Sequence, residues 1–370
     1  MTDVSAKTVL LCTVLLGGVS GCVGEKPIPQ SAEGGSEIET HSTDIQPDPA
    51  AENVPADQSS QPAQKPAELI DLDQAVGDLL TTLGSGETQE RIAASRALSE
   101  RSAEVVSQHA DWMKAGSVSQ RHGIMLMMTG KAQVFPDETY SLVKLALVDG
   151  DSKVRRIGVQ LIRQLLPVQT AELHTQLLEM TKDRLEDSAI RNAVLRMITL
   201  IPGDALATET VLGEIIMSAE DDSTVKQAAL QSYVKIAPAA PAIATLISVL
   251  EKSDSSQVKR TTAVLLGKYG TKSKASVELL GGLMENDEED LQEAAAEALA
   301  RIGSPSIDVL VKKLDSDNLL TRQMAIFTLG VIGPSAGEHV QRLQEFITED
   351  DSDTSLIAKE AIFNILKTRQ

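Results

Sequence analysis

One spacing pattern constrains this chain more than any other feature. Between Glu288 and Gly303, the residues Leu291, Ala294, Ala295, Ala298, Leu299 and Ile302 follow one another at steps of three and one. That rhythm places all six on one stripe of an α-helix. Gly303 is positioned to end the helix in a left-handed turn, and Ser304-Pro305 to open the next helix as N-cap and first helical residue. Ile307, Leu310, Val311 and Leu314 then repeat the stripe. Helices this short are marginal alone, so each pair needs a neighbour to cover its apolar face.

The unit recurs. Positions equivalent to Leu291 are Thr321 and Ile357 downstream; upstream they are Val258, Val225, Ile190 and Val154, with Val118 and Glu90 as weaker matches. The intervals run about 28–36 residues, a helical-repeat period. Gly270, Gly303, Gly333, Pro167, Pro202 and Pro238 close the helices that these anchors begin. Leu69–Leu83 reads as a first helix stopped by Gly84-Ser85-Gly86, with Glu87–Arg101 as its partner. Leu356–Leu366 reads as a last helix, with Lys359, Glu360 and Lys367 on its polar side, as suits a capping unit. The expected fold is all-α: a solenoid of stacked antiparallel helix pairs over residues 69–370, about eight to nine repeats.

Pro305, Leu310, Leu314, Asp317, Arg322, Ala325, Leu329, Ile332 and Gly333 resemble, in order, the pattern of HEAT repeats, including the short bacterial form found in phycobilisome-lyase-like proteins. That family pairs an Asp in the turn with a basic residue early in the second helix. The resemblance assigns these roles to Asp151 with Arg155, Asp187 with Arg191, and Asp222 with Lys226; Asp254 with Lys259 and Asp317 with Arg322 stand one residue wider. Glu288 with Gln292, and Thr354, depart from it. Independently of any family, an Asp there can cap the helix and complement its dipole. Stacked Asp and Arg from neighbouring units would form a polar ladder.

Composition narrows the function classes. Aromatic residues make up 2% of the chain, so Leu, Ile, Val, Ala and Met must fill the interior. The net charge of -19, with no basic cluster interleaved with aromatics, argues against nucleic acid as partner. The two cysteines, Cys12 and Cys22, lie near the N-terminus, so the repeats hold neither disulfides nor Cys-based metal sites.

The N-terminus reads as an address. Thr8–Leu16 is an apolar run too short to span a bilayer, and it fits the centre of an export signal. Val19-Ser20-Gly21-Cys22 resembles the bacterial lipobox, in which the signal is cut before the Cys and the Cys is lipidated. The resemblance implies a signal peptide at 1–21 and a lipid on Cys22; Val23, in place of Asp, favours the outer membrane over the inner. An ordinary thiol after a chance apolar stretch is the alternative. Residues 22–68 are rich in Ser, Pro, Gln and Glu, carry about seven net negative charges, and should be a disordered tether with a reach of roughly 35–40 Å.

Catalytic signatures are missing. There is no HExxH, G-x-S-x-G, Walker A loop or post-strand G-x-G-x-x-G. None of the five histidines is followed by Glu, unlike the His-Glu pairs of a di-iron enzyme family built from similar repeats. His122, Met125 and Met128 could offer soft ligands to copper(I), but Ile124–Met128 is apolar all round, which fits burial on two sides, or an adaptable contact patch. The acidic turns Asp149–Asp151, Glu220–Asp222, Asp287–Asp290 and Glu349–Asp353 lack an EF-hand layout. Gly281-Gly282 suits close helix packing, and Trp112 suits packing against the first units or, if exposed, a binding anchor.

The expectation is a non-catalytic protein-binding scaffold, lipid-anchored in the bacterial envelope, with no cofactor, metal or small-molecule substrate. Lys259, Arg260, Gln292, Glu293 and Glu297 are candidate surface positions on the second helices, which family precedent puts on the concave side. A bilin-lyase-like enzyme or accessory protein, and a purely structural envelope spacer, are the alternatives.

Overall fold

The computed structural model describes residues 72–348 and 352–367. The expected signal peptide (1–21), the lipid expected on Cys22 and the expected tether (22–68) all fall outside the described residues. Residues 71–370 form one compact unit, and among its described residues every regular element is helical.

Helices alternate between two layers. The first layer contains α3 (Ser102–Ser107) with α4 (His109–Ala115), α6 (Pro136–Ala146), α8 (Pro167–Lys182), α10 (Ala205–Met217), α12 (Ala239–Lys252), α14 (Val277–Leu283), α16 (Ile307–Lys313) and α18 (Val340–Gln344). The second contains α5 (Val118–Met128), α7 (Ser152–Leu161), α9 (Ser188–Met197), α11 (Ser223–Ile236), α13 (Ser256–Lys268), α15 (Glu289–Ile302), α17 (Leu319–Ile332) and α19 (Ser352–Leu366). Each second helix packs on its own first helix and on the second helices before and after it. The second helices meet more closely than the first helices do. The fold is thus an α-solenoid, with its core between the layers: Leu266, Leu299 and Leu329 are fully buried.

Helix starts come in two styles. α6 and α8 open with Pro136 and Pro167 in the first turn, where a missing N–H is harmless. In the C-terminal units a glycine opens a 3-10 turn instead, at Gly270–Ser276, Ser304–Ser306 and Gly333–His339. Gly303 has φ 80° and ψ -136°, and Gly333 has φ 76° and ψ -139°. This is a positive-φ region open to glycine but not the left-handed helical one expected for Gly303. Ser304 and Pro305 accordingly begin the 3-10 turn, and α16 starts only at Ile307.

The N-terminal end departs from the regular pattern. α1 (Leu72–Ser85) and α2 (Thr88–Glu100) pack together, but it is α1 that lies along α5. The reason is a crossing of backbones. A Cβ on Gly123 would stand 2.0 Å from the Leu80 carbonyl oxygen, and one on Gly84 the same distance from that of Ser119. α2 buries only Ala94 and Leu98, too little to compete for α5.

Candidate interaction surface

The second helices share one register, and it explains which side chains face where. The cap stands three residues before each anchor. Asp151 accepts from the amides of Lys153 and Val154, Asp187 from those of Ala189 and Ile190, and Asp222 from those of Thr224 and Val225. Where the acid seemed one residue wide of the pattern, the following residue takes the cap. Ser255 accepts from the Val258 amide, and Asn318 from those of Leu320 and Thr321. Asp254 and Asp317 are therefore not caps. On the same count the anchor of α5 is Gln120, since Ser117 caps it; Val118 is two residues early and exposed.

In the first units the residue after the anchor forms the polar ladder, but not with the capping Asp. Arg121 donates to Asp149 (2.7 and 3.0 Å) and to the Gly116 carbonyl (2.8 Å). Arg155 donates to Glu186 of the next unit (2.7 and 2.8 Å) and to the Asp149 carbonyl (2.7 Å). Arg191 donates to the Thr181 carbonyl (2.9 Å), and its Nη2 lies 2.6 Å from Asp221 Oδ1. That last contact is an ion pair whose angle is too poor for a hydrogen bond. The pairings Asp151–Arg155, Asp187–Arg191 and Asp222–Lys226 do not form as ion pairs, because the Asp oxygens point into their own helix N-termini. Hydrogen bonds donated to Asp149 and Glu186 raise the pKa of Arg121 and Arg155 despite their partial burial.

The ladder ends at Lys226. It lines a hollow of about 340 Å³ with Lys252 and Asp254, and no ion pair joins them; an ammonium lacks the two-armed reach of a guanidinium. Further on, Gln292 donates to the Asn286 carbonyl (2.5 Å) and Arg322 to that of Ser316 (2.7 Å). Arg322 does not bond Asp317. Gln292, a surface candidate by sequence, is buried because it fills the ladder position.

What faces water in this layer are mostly the positions two, six, and nine or ten after the anchor, one stripe of each helix; Gln323, second after the α17 anchor, is instead buried and donates to the Thr354 hydroxyl (2.9 Å). They fall into three zones. α7 to α13 present Arg156, Arg163, Arg196, Gln231, Lys235 and Lys268 as exposed side chains, beside Arg260. α15 presents Glu293 and Glu297, half-buried, and exposed Arg301, which pairs with Glu297 (2.7 Å) and leaves Glu293, among the described residues, the unpaired charge of the stripe. Burial, with repulsion from Glu289 and Asp290, pushes the Glu293 carboxyl above its usual range, and Arg260 partly offsets this. α17 and α19 present Val331, Phe363 and Leu366, the last two 63% and 64% exposed, with the charged Lys359 beside them on that stripe. A groove of about 380 Å³ crosses the first zone between α11 and α13, lined by Gln227, Gln231, Gln257, Arg260, Thr261, Val264, Leu265 and Lys268.

Elsewhere the side chains serve packing. Met125 and Met128 are fully buried, and His122 Nδ1 lies 2.8 Å from the Gly84 carbonyl, so this helix is core. Trp112 is half-buried, with Gly77 close to its ring. Gly281 faces Val309 closely, whereas Gly282 faces open space. His174 is buried against Thr208 (3.0 Å), and burial lowers its pKa. Among the described residues no cluster of three His, Cys, Asp or Glu is placed to hold a metal, and no helix is long and apolar enough to cross a membrane.

The architecture defines an α-solenoid with one tightly packed helical layer. Residues 243–330, spanning α12 to α17, match the family described as HEAT repeats. Among solved structures, Kap121p superposes with a TM-score of 0.55 at 16% identity, over 80% of this chain and 37% of its own. Kap95 in complex with Nup1 gives 0.52 at 13% identity, over 79% and 46%. Both likenesses are of fold, and the chain spans less than half the length of either protein. No curated protein sequence matches it.

Proposed function

We propose that this protein is a non-catalytic scaffold whose second-helix layer binds other proteins. One observation carries the reading: successive units hold their solvent-facing side chains in a shared register, so a single layer offers a basic, an acidic and an apolar zone in sequence along the stack. Rigid helices hold such a surface better than loops would. The likeness to Kap95 in complex with Nup1 and to Kap121p bound to Pho4p is consistent with it.

The scaffold is carried into the bacterial envelope by the signal at 1–21 and held there through a lipid on Cys22, at the outer membrane, with 22–68 as spacer. The lipobox-like Val19-Ser20-Gly21-Cys22 and the acidic, Pro- and Ser-rich composition that follows support this part. Crosslinking in intact cells, followed by purification from membranes, tests the scaffold: a stoichiometric protein partner is expected, and none would refute it. Cys22→Ala should release the protein from the membrane fraction; retention would remove the anchor.

A further inference from the structure

Charge divides the two layers in a way the net charge conceals. The chain carries -19 overall. Yet four consecutive second helices, α7, α9, α11 and α13, contain no Asp or Glu. Each first helix beside them, α6, α8, α10 and α12, contains at least one. Arg155 and Arg191, next to the anchors, are neutralised in the ladder by Glu186 and Asp221. The solvent-facing Arg156, Arg196, Lys235 and Lys268, and Arg163 in the 3-10 turn just after α7, have no ion-pair partner among the described residues. Arg260 has one, exposed Asp290 at 3.3 Å, where the acidic zone begins.

The groove between α11 and α13 lies within this basic zone. Its polar rim is rich in donors: the amides of Gln227, Gln231 and Gln257, the Thr261 hydroxyl, and the charges of Arg260 and Lys268. No carboxylate lines it. Amides suit a peptide main chain, and cations suit its carboxylates. Packed helices stand about 8–10 Å apart, and an extended chain covers about 10 Å in three residues. Acids about three residues apart would therefore meet successive second helices.

We propose that the basic zone of α7 to α13 is the docking site for an extended acidic segment of a partner protein, with the groove between α11 and α13 seating its main chain. This rests on the scaffold reading and adds the partner's chemistry. A single-stranded nucleic acid fits less well. None of the exposed side chains of the zone is aromatic, so bases have nothing to stack on. The acids elsewhere on the surface would repel a long polyanion.

The test uses the full chain and fluorescence anisotropy with three labelled probes: a peptide of about 18 residues with Glu at every third position among Ser and Gly, the same peptide with Gln for Glu, and a single-stranded DNA of similar length. The acidic peptide should bind at least tenfold tighter than the Gln peptide and the DNA. Its affinity should drop at least tenfold between about 50 and 300 mM salt. The fourfold variant Arg156→Glu, Arg196→Glu, Arg260→Glu, Lys268→Glu changes exposed side chains and should keep its helical circular dichroism while losing at least tenfold in affinity. Lys144→Glu with Lys252→Glu, on the first helices, should bind like wild type. Equal binding of the acidic peptide by wild type and the fourfold variant, or no binding at all, overturns the proposal, and tighter binding of the DNA reassigns the face. Crosslinking of the fourfold variant in cells separates the two readings: a partner still captured leaves the scaffold standing and sinks this docking site.

Discussion

Arg191→Ala should be among the most damaging single changes in the ladder, and the reason is burial. The side chains of Arg191 and Asp221 are 4% and 3% exposed. Removing the guanidinium leaves a carboxylate with neither water nor counter-charge, a change that costs about 3–5 kcal/mol at buried pairs. It also strips the Thr181 carbonyl of its donor, worth about 1 kcal/mol more. We expect a loss of about 4–6 kcal/mol. The same repeat step supplies its own control. Arg184 pairs with Glu220 across the same two units, but those side chains are 52% and 70% exposed, and such pairs contribute at most about 1 kcal/mol. Repeat arrays can open locally, so urea unfolding should be joined to hydrogen exchange read by mass spectrometry. Amides of α9 and α11 should lose protection while those of α17 keep it. If Arg191→Ala were no more costly than Arg184→Ala, the ladder would be ornament rather than structure.

Other outcomes follow from single sites. Gly123→Ala should force α1 from α5, lowering stability by more than about 2 kcal/mol through the clash with the Leu80 backbone, whereas Gly282→Ala, with nothing within 4 Å, should raise it by up to about 1 kcal/mol; matching melting temperatures for the two variants would contradict this. Burial holds the pKa of His174 below its ordinary 6.5, so the unfolded chain binds the proton first. Stability should be full above pH 6.5 and decline as pH falls through the folded pKa, and His174→Gln should flatten that decline; identical pH profiles would refute the assignment. Burial would raise Asp222, but bonds from the Ser188 and Thr224 hydroxyls and from the Val225 and Thr224 amides outweigh it and bring its pKa to about 2. Its contribution, present above pH 3.8 and lost as pH falls through about 2, should be under about 1 kcal/mol because the carboxylate is exposed. A carboxyl carbon titrating near 4 by NMR would count against those bonds. Copper(I) titration should show no uptake at His122, Met125 and Met128, since both thioethers are fully buried; stoichiometric binding that His122→Ala abolishes would contradict this.

What the chain settles by itself is the run of helices and the stripe each buries. Those follow from local chemistry: apolar residues at steps of three and four, with Gly or Pro where the helix must stop. α15 and its buried Leu291, Ala295 and Leu299 needed nothing beyond that rhythm. The capping role of Asp151, Asp187 and Asp222 is equally local, because each reaches only its own first turn. Tertiary structure alone decided which acid each arginine meets, since Glu186 reaches Arg155 from 31 residues away and only after two units have stacked. Stacking also sent Gln292 inward, set α1 rather than α2 against α5 through bare glycine backbone, and left the unpaired cations of α7 to α13 on one face. A periodic sequence states which side of a helix is buried; only neighbours in space determine what the other side can touch.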